Sequence, residues 1–337
     1  MSQVGAFISG CQGTKLKDRE KAFFAEAQPW GFILFARNME RPDQVRALCA
    51  ELRGAVGRNA PILVDQEGGR VQRMGRPYWR QYLPPLDQTA RSAPENLVRG
   101  MYLRARLIAA ELHSVGIDVN CAPVADIATD TTHPFLRNRC FGSDPATVAQ
   151  AGRAIAQGLL DGGVLPVLKH MPGHGRAEVD SHHEPPHVRA DLATLKATDF
   201  APFKELADVP LGMTGHMVFD QIDPGRPTTT SAPVIRLIRE ELGFDGLLMT
   251  DDLSMQALAG SVADRGAAAR AAGVDLGLHC NGNLAEMEEL AETVGIVEGA
   301  TLKRAELALA QRQAADSVDV PALEAELSEL VEGAING

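Results

Sequence analysis

The sequence predicts an α/β protein, a single (β/α)8 barrel of the TIM type with additional C-terminal helices. Eight short apolar runs end in polar or glycine-rich turns, each is followed by a segment long enough for a helix, and most runs are apolar at successive positions. Unbroken apolarity is what a parallel strand covered on both faces requires, and alternating β and α units imply a parallel sheet. Eight such units favour closure into a barrel, although strand count alone also allows an open doubly wound sheet. A length of 337 residues lies within the range of one barrel.

Taken in order, the first run, Gly5–Gly10, ends in Ser9-Gly10-Cys11 and offers little chemistry. The second, Gly31–Ala36, carries Phe32-Ile33-Leu34-Phe35 in succession, and the third, Pro61–Glu67, passes directly into Asp65-Gln66-Glu67-Gly68-Gly69-Arg70. Between Val98 and Val115, Met101, Leu107, Ile108, Leu112 and Val115 recur at helical spacing before Gly116. The fourth run is Asp118–Asp126. Ser143-Asp144-Pro145 then opens a helix that closes near Gly162-Gly163, and the fifth run, Val164–His170, follows. The sixth is Leu211–His216. Ser231 with Pro233 opens a helix ending at Gly243, before the seventh run, Gly246–Asp252, and the eighth, Val274–Cys280. The stretch from about 302 to 331, rich in Ala, Glu and Leu, reads as closing helices packed on the barrel. No proline-rich or low-complexity linker marks a second domain, so residues 1–337 are expected to form one catalytic domain.

Composition narrows the partners. Hydrophobic residues make up 45% and charged residues 23%, enough for a substantial core. A formal net charge of −11 without clustered Lys and Arg argues against nucleic acid. The five cysteines are odd in number, scattered and without a CxxC spacing, which reads as free thiols in a reducing compartment. No basic and apolar leader opens the sequence, and no run approaches the ~20 apolar residues of a membrane span. The expectation is a cytoplasmic monomer with no nucleic-acid or membrane partner, no cofactor and no metal.

In a barrel the chemistry sits at the carboxyl ends of the strands. A lone Asp or His there commonly caps a helix or bridges loops. Here ionisable groups end four strands: Asp65 and Glu67 at the third, Lys169, His170 and His174 at the fifth, His216 at the sixth, and Asp251 and Asp252 at the seventh. Such clustering favours a site.

Lys169-His170-Met171-Pro172-Gly173-His174-Gly175, followed by Asp180-Ser181-His182, resembles the KH-x-PGHG and D-x-H signature of glycoside hydrolase family 3 β-N-acetylglucosaminidases. The resemblance extends to Asp65–Arg73, Ala122–Asp126, Arg139–Gly142 and Thr250–Met255, covering roughly residues 5 to 280. It implies that Asp251 is the nucleophile, that Asp180 and His182 form the acid/base pair, and that Asp65, Arg73, Arg139, Lys169 and His170 bind the sugar. Many wider relatives take a glutamate acid from a second domain, for which this chain has no room. The single-domain subgroup acts in the cytoplasm on peptidoglycan turnover fragments, releasing N-acetylglucosamine from 1,6-anhydro-N-acetylmuramic acid with or without peptide. Met171 departs from the family's usual Phe, a change expected to alter packing more than chemistry.

A retaining glycosidase needs a carboxylate to attack the anomeric carbon and a group that gives and takes a proton, which a histidine can do near neutral pH. Asp180 is expected to orient His182, and the long loop from Gly173 to Arg189 to bring His182 to the substrate on closing. His174 reads as shaping its glycine-flanked turn, His183 as solvent-facing, His113 as a surface or satisfied core histidine, and Asp252 as a loop anchor. Three rivals are set beside this reading. A metal-dependent barrel hydrolase would use His170, His216, His279 and the stretch from Asp180 to His183, but usually carries an HxH pair where this chain has Ser9-Gly10-Cys11. A non-catalytic sugar-binding barrel has no need of Asp251, Asp180 and His182 together. A phosphorylase on the same scaffold differs only in its acceptor, and the sequence leaves water and phosphate both open.

Overall fold

The structure, a computed structural model, describes residues 3–177, 185–333 and 335–336. Eight parallel strands close into a barrel in sequential order: β1 (Gly5–Ser9), β2 (Pro29–Leu34), β3 (Ile62–Val64), β4 (Val119–Asn120), β5 (Leu165–Met171), β6 (Leu211–Thr214), β7 (Leu247–Asp252) and β8 (Leu276–His279). The ring is completed where Phe7 of β1 pairs with Gly277 of β8. Each strand falls on one of the eight apolar runs.

Alternate side chains of a strand point to opposite faces, and the core divides accordingly. Ile8, Ile33, Leu63, Val167, Met213 and Met249 pack inside the barrel, whereas Phe32, Leu34, Ile62 and Val64 pack outward under the helices. Helices Leu97–Ser114 and Pro145–Asp161 lie side by side. Glycine lets them approach: a Cβ at Gly162 would lie 2.3 Å from that of Ala109. The Asp144 carboxylate caps the second of these helices by accepting the Thr147 N–H at 2.8 Å. Of the closing helices, Gly299–Ala310 buries Ala305 and Ala308 in the cluster that includes Trp30, and Val320–Leu330 packs on Leu97–Ser114, where Arg80 pairs with Glu324 and Arg99 with Glu326.

Two strands stop well short of the ends of their runs. After Val64 the chain leaves the barrel for a small antiparallel hairpin, Gln66–Gly68 with Val71–Gln72, turned by Gly68 and Gly69 at φ 98° and 61°. Only glycine fits at 68, because a Cβ there would meet the Arg104 guanidinium at 1.9 Å. Past Asn120 the fourth run reaches Pro123, which has no N–H to give the ladder, and pairing is reduced to a single bridge between Val124 and Lys169. The helix expected to end at Gly243 forms over Ala232–Arg236, widens into a π turn over Leu237–Glu241, and stops at Gly243 with φ 75°. All five cysteines are free and buried, and among the described residues no helix is long and apolar enough to cross a membrane.

Candidate active site

A cavity of about 230 Å³ opens at the carboxyl ends of the strands and is lined by Asp65, Arg73, Arg139, Lys169, His170 and Asp251 among others. The six described residues expected in the site are therefore brought together. Asp180, His182 and His183 fall in 178–184, outside the described residues.

Two carboxylates and three cations form the floor. Asp65, just past β3, accepts from Lys169 Nζ at 2.8 Å and from Arg73 Nη2 at 3.0 Å. Glu67, on the hairpin that follows, accepts from Arg139 Nε and Nη2 at 2.9 and 2.8 Å and faces Lys169 Nζ at 2.7 Å. The hairpin is braced by Gln66, whose side-chain carbonyl takes the Arg73 and Met74 N–H groups. Arg104, buried beneath, donates to the Glu67 carbonyl. Burial alone would raise both carboxyls; Lys169 with Arg73 outweighs it at Asp65, and Arg139 with Lys169 at Glu67, so each lies below its ordinary value. The same carboxylates hold the Lys169 ammonium above its ordinary value against the opposing effect of burial.

His170 sits between two fixed partners. Its Nδ1 is 2.7 Å from Asp126 Oδ2, and its Nε2 is 3.3 Å from Arg139 Nη2. A guanidinium only donates, so Nε2 accepts and Nδ1 carries the proton given to Asp126. This arrangement suits a binding residue, since neither nitrogen is free to deliver a proton. Asp126 also takes the His174 N–H at 2.7 Å. Burial drives the His174 imidazole down to about 4, and neither of its ring nitrogens has a hydrogen-bond partner among the described residues. Asp126, His170 and His174 form the one group of three among the described residues with ligand atoms close enough for a metal, all within 4.8 Å. The chemistry does not fit, because both nitrogens of His170 are already committed.

Asp251 stands apart from the ionic lattice. It lies one residue before the end of β7, is partly exposed to the cavity, and has no ion pair among the described residues. Its Oδ1 accepts the Asp252 N–H at 2.8 Å. Burial pushes this carboxyl up, but His216, His170, the Asp252 N–H and Lys169 together hold it below 3.8. It is thus an ionised carboxylate, without an ion pair among the described residues, facing a cavity whose other walls carry hydrogen-bond donors.

Comparison with known proteins agrees with this geometry. Residues 1–314 match the glycosyl hydrolase family 3 N-terminal domain. The chain belongs to glycoside hydrolase family 3. It is 35% identical to a β-hexosaminidase from Alkalilimnicola ehrlichii over 82% of this chain and 81% of that one. NagZ from Neisseria gonorrhoeae, solved in complex with N-trifluoroacetyl-D-glucosamine, superposes with a TM-score of 0.87 at 27% identity, covering 98% of this chain and 99% of that one. A family 3 β-N-acetylglucosaminidase from Paenibacillus gives a TM-score of 0.86 at 29% identity, covering 97% of this chain and 67% of the other. The activity of the chain is accordingly that of a glycoside hydrolase of the β-hexosaminidase type.

Some polar residues of this family 3 hydrolase take no role from the sequence alone. Glu67 appears there only among the groups ending the third run, and it is the hairpin past β3 that sets it beside Asp65. Asp126 stands in a family motif but gained its role only through contact with His170. Asp252 is the expected anchor: its carboxylate takes the N–H groups of Ser254 and Cys280 at 3.0 and 3.1 Å and the Ser254 hydroxyl at 2.7 Å. His113 is exposed. His216 and His279, invoked for a metal, bond instead to the Asp252 carbonyl and to Glu286.

Proposed function

We propose that the chain is a retaining exo-β-N-acetylglucosaminidase that removes terminal non-reducing N-acetylglucosamine from peptidoglycan turnover fragments, acting as a cytoplasmic monomer. The observation that carries this reading is the inequality among the carboxylates. Asp65 and Glu67 are neutralised by Lys169, Arg73 and Arg139, whereas Asp251 faces the cavity with no ion pair among the described residues. An ionised carboxylate of that kind suits attack on an anomeric carbon.

In the proposed sequence His182, oriented by Asp180, gives a proton to the glycosidic oxygen as Asp251 Oδ bonds to C1 and the C1–O bond breaks. The aglycone leaves as an alcohol. His182 then takes a proton from water, whose oxygen attacks C1 and releases Asp251 with net retention. The committed nitrogens of His170 support assigning the proton transfer elsewhere. Lys169, Arg73 and Arg139 donate to sugar hydroxyls and Asp65 accepts from one. The muropeptide aglycone rests on the family resemblance.

Trapping with a fluorinated N-acetylglucosaminyl fluoride followed by peptide mapping tests the scheme. The expected adduct is on Asp251; catalysis without any trapped adduct, as N-acetyl assistance would give, refutes it. Product analysis on purified muropeptides, with and without phosphate, identifies aglycone and acceptor together.

A further inference from the structure

We infer that His216 is a positioning residue for the nucleophile, clamping the Asp252 main chain so that its N–H holds Asp251 in one orientation; this rests on the reading of Asp251 as nucleophile. His216 follows β6 by two residues, is 1% exposed, and forms no ion pair among the described residues. Its Nε2 is 3.0 Å from the Asp252 carbonyl, and its Nδ1 is 2.8 Å from Thr229 Oγ1. A carbonyl only accepts, so Nε2 carries the proton. Nδ1 faces the Thr229 hydroxyl, which also donates to the Gly215 carbonyl at 3.1 Å. Thr229 Oγ1 is in turn 2.8 Å from Thr214 Oγ1, and Thr214 ends β6.

The chain of contacts therefore runs from the barrel wall to the nucleophile: Thr214, Thr229, His216, the Asp252 carbonyl, the Asp252 N–H and Asp251 Oδ1. Asp252 is fixed at three points, since its carboxylate is also held by Ser254 and the Cys280 N–H. With no cation bound to Asp251, the Asp252 N–H is the only hydrogen bond that orients its carboxylate among the described residues. An attacking carboxylate displaced by about an ångström loses about a hundredfold in rate. A clamp on this donor consequently acts on the bond-forming step and not on the sugar, which the proposed function assigns to Asp65, Lys169 and Arg139 elsewhere in the cavity.

The test compares the intact wild-type chain with His216→Phe and His216→Gln, reading adduct formation with the fluorinated glycosyl fluoride and kinetics on an aryl β-N-acetylglucosaminide. Wild-type adduct on a residue other than Asp251 defeats the nucleophile reading itself, before any variant is compared. With the adduct on Asp251, His216→Phe is expected to slow its formation and kcat by about tenfold to a hundredfold while KM stays within about twofold. His216→Gln, whose amide can donate to the same carbonyl, should recover most of the loss. Unchanged glycosylation in His216→Phe, or a Gln variant as impaired as Phe with KM rising in step, overturns the inference. Should the Phe variant not fold, Thr229→Val removes the hydroxyl that orients the ring and is expected to lower kcat in the same direction. A normal kcat there counts against the clamp.

Discussion

The buried lattice beneath the cavity makes a sharp prediction at Glu67. Glu67→Gln keeps the shape of the side chain but removes the charge that neutralises Arg139 through two hydrogen bonds and Lys169 through a third contact. Both side chains of the Arg139 pair are nearly inaccessible, at 7% and 2%. Breaking one partner of a buried pair costs about 3–5 kcal/mol, since the remaining charge is left uncompensated. An unfolding entropy of about 2.1 cal/mol/K per residue gives about 0.7 kcal/mol/K for a chain of this size, so the midpoint should fall by about 4–7 °C. The donors assigned to the sugar lose their alignment as well, and a misplaced hydroxyl partner worth about 1–3 kcal/mol is expected to raise KM by about 5-fold to 150-fold.

The pH dependence gives the prediction a second edge. The folded Glu67 carboxyl lies below its ordinary 4.5, so its contribution is fully present above pH 4.5 and is lost as pH falls through the folded value. The stability gap between wild type and Glu67→Gln should therefore be constant at neutral pH and narrow in acid. Urea unfolding at a series of pH values measures it. A gap under about 1 kcal/mol at pH 7, or one that widens in acid, would falsify the account of Glu67 as the counter-charge of the lattice.

Three further outcomes follow from the site. Asp251→Ala should abolish turnover with the thermal midpoint close to wild type; near-normal rates would remove it from the nucleophile role. His182→Ala should impair substrates with poor leaving groups far more than an activated aryl glycoside, and equal losses on both would argue against an acid function. Because Asp251 is held below 3.8, kcat/KM should stay level on the acid side until pH falls under that value; a limb near pH 5 to 6 with the fold intact would show that another group controls attack.

The fold was legible because strands covered on both faces write themselves as unbroken apolar runs, and all eight appear where the runs stand. What the runs did not reveal is where a strand stops pairing. Pro123 and the Gly68-Gly69 turn end the ladder early, and the ends of elements depend on partners that are remote in sequence. The site divides in the same way. Asp251, Lys169 and His170 could be placed from strand ends and motif. The tie between Glu67 and Arg139 spans 72 positions, and that between Asp65 and Lys169 spans 104, so which carboxylate meets which cation emerges only once the barrel closes. His174 reads differently in three dimensions too: its N–H fixes the turn on Asp126, yet its ring, whose nitrogens have no hydrogen-bond partner among the described residues, lines the cavity.

Pairing the cations has a consequence for the nucleophile beyond holding the floor together. Lys169, Arg73 and Arg139 could each have neutralised Asp251, and a carboxylate locked to a guanidinium is a poorer nucleophile because its lone pairs are already engaged. Asp65 and Glu67 draw those charges to the third-strand side, where they remain donors for a sugar. Burial raises the Asp251 carboxyl, and His216, His170 and one N–H, with Lys169 last, bring it below its ordinary value. In the proposed mechanism the two paired carboxylates thus leave the third one free to attack. That separation depends on Gly68, since only a residue without a Cβ lets the hairpin bearing Glu67 settle against Arg104 and reach across to Arg139.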